Sequence, residues 1–117
     1  MCFIKENVVI LNYVYFKHFA TKETYPIILN FMISQIDKAL ATNNEIIVHV
    51  NMKLLNVVDI DKHKSFIQQV SECLKKKYPE KLDKCFIHNA PFVFSQIVNM
   101  ISIFIDKDTQ TKITLIK

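Results

Sequence analysis

Cys85 and His88 stand three positions apart in the run Lys84-Cys-Phe-Ile-His-Asn89, a spacing that could pair a thiolate with an imidazole or begin a metal site. The surrounding residues read as a strand, however, and on a strand positions three apart face opposite ways. The pair therefore supports neither a nucleophile nor a metal centre. Asp59-Ile60-Asp61 offers two nearby carboxylates, but an acid just ahead of an amphipathic helix reads more simply as its cap. His49 and His88 fall in two apolar segments that read as neighbouring strands, where each is expected to be a polar side chain satisfied within the sheet. With no glycine in the chain there is no phosphate-cradling loop and no dinucleotide fingerprint. The residues thus point to no catalytic site, no metal and no cofactor, and the sequence reads as a non-enzyme.

The remaining candidates are cationic. Lys75, Lys76, Lys77, Lys81 and Lys84 form one cluster in a chain of net charge +4 and pI near 9.0. In the last turn of a helix lysines complement the helix dipole, so a solvated helix end is the simplest reading. The sharper reading is contact with anionic headgroups, each lysine then contributing about 1 kcal/mol near such a surface. All 15 basic residues are lysine. The lack of arginine argues against nucleic acid, because bidentate reading of guanine and phosphate is largely an arginine task.

These residues must be positioned by a chain of 117 residues, enough for one domain with a real core. Half of the residues are hydrophobic and the mean hydropathy is +0.17, which excludes a disordered polymer. Lys, Ile and Asn are abundant, the signature of a low-GC genome such as that of a large virus or an AT-rich protist. Cys2, Cys73 and Cys85 are odd in number and lack a CxxC spacing, so free thiols in a reducing compartment are expected. The start has no signal-peptide shape, and no apolar run reaches the roughly 18–20 residues of a spanning helix, so a cytoplasmic protein is expected.

Residues 7–16 are β-branched and aromatic and predict a buried strand. Residues 25–42 switch period: Ile28, Phe31, Met32, Ile36, Ala39 and Leu40 share a helical stripe, with Pro26 in the first turn and Asn43-Asn44 at the end. A second strand is predicted over 45–55, then a loop to Asp61, with Asp59 or Asp61 capping a helix over 61–78 that ends at Pro79. Its inner side would carry Phe66, Val70, Cys73, Leu74 and Lys77. A third strand over 84–89, a third helix over 92–105, a turn at 106–109 and a fourth strand over 111–117 complete the chain. Single helices between strands call for right-handed crossovers and a mainly parallel four-stranded sheet, an α/β fold in one domain spanning 1–117.

The third helix is apolar nearly all round, with only Ser95, Gln96, Asn99 and Ser102 polar. Such a helix needs cover on more than one side. The sheet supplies one side; a lipid, a protein partner or a second copy of the chain would supply the other.

The segment Tyr78-Pro-Glu-Lys-Leu82, then Asn89-Ala-Pro-Phe92 with Phe94, then Phe104, Asp106, Thr109 and Lys112-Ile113, resembles the CRAL-TRIO lipid-binding family, which includes phosphatidylinositol-transfer and retinal- and tocopherol-binding proteins. The likeness covers 45–117 well and 7–44 loosely. The family's Asp-x-x-Gly after the preceding strand is replaced by Asn51-Met52-Lys53-Leu54, and its N-terminal bundle, acidic Gly-Gly segment and gate helix have no counterpart, as in a truncated version. The resemblance implies a non-enzymatic lipid-binding module of the phosphoinositide and lipid-transport type, at work in the cytoplasm or peripheral to membranes. Phe86, His88, Phe92, Phe94, Ile97, Met100 and Ile101 are then expected to hold the ligand, and Lys75, Lys76, Lys77, Lys81 and Lys84 to meet anionic headgroups. The alternative is a protein-interaction or assembly module that oligomerises through the third helix.

Overall fold

A computed structural model describes residues 2–91, 95, 98–99 and 107–116. Five strands form one sheet in the order β1-β2-β3-β4-β5: β1 (Cys2–Lys5), β2 (Val8–Asn12), β3 (Ile46–Asn51), β4 (Leu82–His88) and β5 (Ile113–Ile116). β2 to β5 run parallel, as single-helix crossovers require, and β1 adds an antiparallel edge. β1 is the one strand more than the sequence pattern gives. It pairs with β2 through a two-residue turn at Glu6-Asn7, where Glu6 takes φ 56° in a chain that has no glycine to offer.

The predicted first strand stops at Asn12, and Tyr13–Phe19 forms a helix, α1. Its aromatic residues have strand propensity, but tertiary packing decides otherwise. Phe16 stacks on Phe66 at 5.3 Å and meets His63 edge-on at 5.0 Å, while Tyr13 meets His63 at 6.4 Å. α2 (Tyr25–Thr42) has the predicted bounds. Asn43 ends it by donating from its side-chain amide to the Ala39 carbonyl at 2.9 Å, which satisfies one of the carbonyls a helix end leaves open. Ile28, Leu29, Met32, Ile36 and Ala39 are its buried positions; Phe31, expected inside, is 43% exposed because it lies one step round the helix from that stripe.

The predicted loop before Asp61 contains a short helix, α3 (Val57–Lys62), followed by α4 (Lys64–Lys77). Asn56, not an aspartate, caps α3: its side chain accepts from the Asp59 amide at 2.9 Å. The expected turn at 106–109 is likewise helical from Lys107, in α5 (Lys107–Thr111), where Lys112 lies 3.4 Å from Asp108 one turn back. Ser95, Val98 and Asn99 are helical; the rest of the expected third helix lies outside the described residues.

Two core clusters hold the layers together. Cys2, Val9, Ile36, Ala39 and Ile46 pack with Val48, Leu74, Tyr78 and Leu82, and Ala20, Ile28, Leu29, Met32 and Phe66 pack with Leu11, Phe16 and Tyr25. Both clusters lie on one side of the sheet, so α1, α2 and α4 all cover that side. Each fully buried aliphatic side chain there contributes about 1.5–3 kcal/mol.

Candidate ligand-binding face

Register divides the sheet into two unlike faces. Val9, Val48, Cys85 and Ile113 stand side by side on the helix-covered face, followed by Leu11, Val50, Ile87 and Leu115. The alternate positions form three rows on the other face. The first holds Lys5, Val8, Ile47 and Lys84; the second Ile10, His49, Phe86 and Thr114; the third Asn12, Asn51, His88 and Ile116. Burial follows the division in the central strands, where Val9 is 1% and Ile87 4% exposed against 37% for Ile10, while the β5 edge is exposed on both faces, Leu115 at 44% and Ile116 at 42%. Among the described residues the second face is the more open one.

Its centre is built from imidazole and aromatic rings. His49 Nδ1 and His88 Nε2 are 2.9 Å apart, so one ring donates and the other accepts, and the two rings stack at 5.2 Å. Phe86 stacks on the other side of His49 at 4.9 Å. Beside His88, the Asn89 amide donates to Asn51 Oδ1 at 2.9 Å, and the same oxygen accepts from the Lys53 backbone at 3.0 Å. The expectation that His49 and His88 lie in neighbouring strands as polar side chains satisfied within the sheet is met, and each is the other's partner. Cys85 and His88 do face opposite ways, and burial pushes the Cys85 thiol up to about 11, far from a thiolate at neutral pH. Among the described residues no three His, Cys, Asp or Glu side chains converge as a metal site would need.

Of the expected ligand-binding residues, the structure places Phe86 and His88 together on the open face. Phe92, Phe94, Ile97, Met100 and Ile101 lie outside the described residues. The lysines do not form a single patch. Lys75, Lys76 and Lys77 end α4, on the helix-covered side, where Lys76 bonds Glu72 at 2.9 Å and Lys77 lies 4.0 Å from Asp37. Lys81 follows in the loop, exposed, and Lys84 extends from the open face in the row that ends at Lys5.

The residues that suggested a family resemblance have structural roles. Tyr78 donates to Asp37 Oδ1 at 2.6 Å, tying the end of α4 to α2. Pro79-Glu80 forms a turn closed by the Lys81 amide on the Tyr78 carbonyl at 3.3 Å, with Glu80 at φ 61°. Asn89, at φ 56°, ends β4 and bonds Asn51. The CRAL/TRIO domain pattern matches residues 5–117. The chain belongs to the CRAL/TRIO domain family. It is 33% identical over 67 residues to the Sec14 cytosolic factor of Schizosaccharomyces pombe, a match covering 57% of this chain and 23% of that protein. It therefore spans about a quarter of that relative's length. Among solved structures, that of Sfh5 matches with a TM-score of 0.77 at 24% identity, over 92% of this chain and 41% of the other. That likeness establishes the fold. The family is one of lipid-binding domains, and in this CRAL/TRIO chain the open face is the surface left without helices by α1, α2 and α4.

Sequence reasoning missed a second polar cluster, behind the covered face. Lys17 Nζ lies 3.1 Å from Asp59 Oδ2, and Tyr25 Oη is 2.6 Å from His63 Nδ1. Burial works against the Asp59 carboxylate, but Lys17, the Tyr13 hydroxyl and the Asn56 backbone outweigh it and hold its pKa below the ordinary range. Burial, with Lys62 nearby, lowers the pKa of His63, which is 3% exposed, and so favours the neutral ring. The spacing Asn56-x-x-Asp59 is a legible capping box. Nothing in the sequence pairs Tyr25 with His63, which are 38 positions apart. Among the described residues no helix is long and apolar enough to cross a membrane.

Proposed function

We propose that this chain is a non-enzymatic module that binds a lipid or another hydrophobic ligand on the open sheet face. The observation that supports it most is the contrast between the two faces: three helices cover one, while Ile10, Ile47, Phe86, His49 and Ile116 line the other. An acyl chain laid across the second row would bury Ile10 and Phe86, and the imidazole pair and the amides of the third row would meet its polar atoms. Phe92, Phe94, Ile97, Met100 and Ile101 complete the proposed binding surface. The module works in the cytoplasm and at membrane surfaces, in phosphoinositide or lipid transport, and Lys75, Lys76, Lys77, Lys81 and Lys84 are its contacts with anionic headgroups. Two of these are already in ion pairs, Lys76 and Lys77, so Lys75, Lys81 and Lys84 are the freer ones.

The second reading is a protein-interaction or assembly module in which a partner or a second copy covers the same face. It is favoured by the exposure of Ile10 and Ile116, which an aliphatic partner surface would bury equally well. Native mass spectrometry of the freshly purified protein, set against its denatured mass, separates the two. A monomer carrying the extra mass of a lipid is the expected result, and Ile10→Asp with Ile47→Asp should strip that mass while leaving a folded protein. A bare monomer from the unmodified chain would remove the ligand reading, and a bare dimer would favour the assembly reading.

A further inference from the structure

Nothing within α1 makes residues 13–19 helical. Seven residues are too few for a helix to be stable alone, and the four aromatic residues and one valine among them favour a strand. None of the seven is buried. The helix is instead fastened from outside, at two points. Lys17 reaches the Asp59 carboxylate at 3.1 Å and the Leu54 carbonyl at 3.2 Å, in the turn that the Leu55 amide closes on the Met52 carbonyl. With its lysine 38% exposed, that ion pair adds little. The second point is His63, whose ring meets Phe16 edge-on at 5.0 Å and Tyr13 at 6.4 Å.

His63 stands at the joint between α3 and α4 and cannot follow α1 if it moves. Its amide donates to the Asp59 carbonyl and its carbonyl accepts from the Ile67 amide, each at 2.9 Å. Its ring is 3% exposed and also meets Tyr25 of α2, whose hydroxyl lies 2.6 Å from Nδ1. A neutral ring with its proton on Nε2 accepts that hydroxyl at Nδ1. A second proton removes the acceptor and leaves a cation enclosed by aromatic rings. The charged groups around it are Lys17 on α1 and Lys62 and Asp59 on α3. Asp59 already serves Lys17, so among the described residues of this cluster the imidazolium has no carboxylate of its own.

We infer that His63 is a proton-operated latch that holds α1 closed. With the ring neutral, Phe16 lies stacked on Phe66 at 5.3 Å and on Tyr25 at 6.4 Å, and the segment keeps its helix. When the ring takes up a proton, Tyr13 and Phe16 leave it, and residues 13–19 lose the support that made them helical. Tyr25 and Phe66, themselves stacked at 4.5 Å, then face water, so mild acid uncovers an aromatic surface that is closed at neutral pH. The direction follows from linkage: burial makes the closed ring harder to protonate than a free histidine, so the closed form is lost as pH falls. Each pH unit below about 6.5 moves the closed-to-open ratio by up to about tenfold. The latch is independent of the ligand reading, because it lies on the helix-covered side of the sheet.

The test is an NMR titration of the whole isotope-labelled chain from about pH 7.5 to about pH 5, a range that spans ordinary histidine protonation. Backbone carbon shifts of residues 13–19 read the helix, and the ring shifts of His63 read its proton. The expected result is that residues 13–19 move to coil values together with the His63 titration, while residues 25–42 keep their helical shifts. Tyr25→Phe, which removes the donor to the neutral ring, should move that midpoint to higher pH. His63→Phe, which keeps a ring but takes no proton, should hold α1 helical throughout. Should that variant fail to fold, His63→Gln replaces it, being uncharged and able to accept the Tyr25 hydroxyl. An α1 that stays helical while His63 protonates would overturn the inference, as would a ring still neutral at about pH 5. So would loss of α2 in the same step, or an unchanged transition in the His63 variants, which would assign it to His18, His49 or His88.

Discussion

Leu54 sits at φ 72° in the third position of its turn, with more than half of its surface in water. The left-handed region costs a non-glycine residue about 1–2 kcal/mol, and glycine's extra freedom in the unfolded chain gives back about 0.5–1 kcal/mol of that. Leu54→Gly should therefore raise the unfolding free energy by up to about 1 kcal/mol in urea titration. A loss of stability instead would mean that the leucine side chain makes packing contacts that outweigh its backbone strain. Glu6, Glu80 and Asn89 meet the same geometric demand at the other tight turns. Of these, Asn89 bears it most easily, because asparagine enters the left-handed region readily.

At the scale of elements, α2 and the parallel strands were legible because each carries a long, single-period pattern. Residues 25–42 keep one helical stripe for five turns, and the apolar runs at β3 and β4 admit no competing period. The elements that escaped were short and decided by tertiary contacts. α1 has the composition of a strand and is helical because Tyr13 and Phe16 pack against His63 and Phe66. α3 has six residues, too few for a period to show, although its Asn-x-x-Asp start was readable as a cap. Of the polar side chains, Phe86's neighbours His49 and His88 were legible from strand order, while the Tyr25–His63 pair was not, since it joins residues 38 positions apart. The α2 stripe gives the prediction for this scale. Ile36→Ala, 5% exposed in the first core cluster, should cost about 2–5 kcal/mol in denaturant unfolding, whereas Ile27→Ala, 68% exposed, should stay within about 0.5 kcal/mol. Similar losses at the two sites would mean that Ile27 is covered in solution.

For the whole molecule, the decisive property is that, among the described residues, the sheet is dressed on one side. A layered α/β domain gains stability by burying both faces of a parallel sheet, and α1, α2 and α4 all lie on the side of Val9 and Ile87. The open face therefore has a free energy to gain from any apolar cover. Stripped of ligand, the protein should associate through this face as its concentration rises, and added oleic acid should return it to a monomer. A ligand that binds only the folded state adds about 2.7 kcal/mol of stability at a hundredfold excess over its Kd, so the thermal midpoint should rise in the same titration. Light scattering coupled to size exclusion reads the association, and thermal unfolding reads the stabilisation. If the ligand raised the midpoint while the dimer persisted, the ligand and the dimer contact would occupy different surfaces, and the open face could be the site of only one of them. If neither ligand nor concentration changed anything, cover from elsewhere in the chain would already satisfy the face. The imidazole pair at its centre would then be a structural hydrogen bond within the sheet and no part of a binding site.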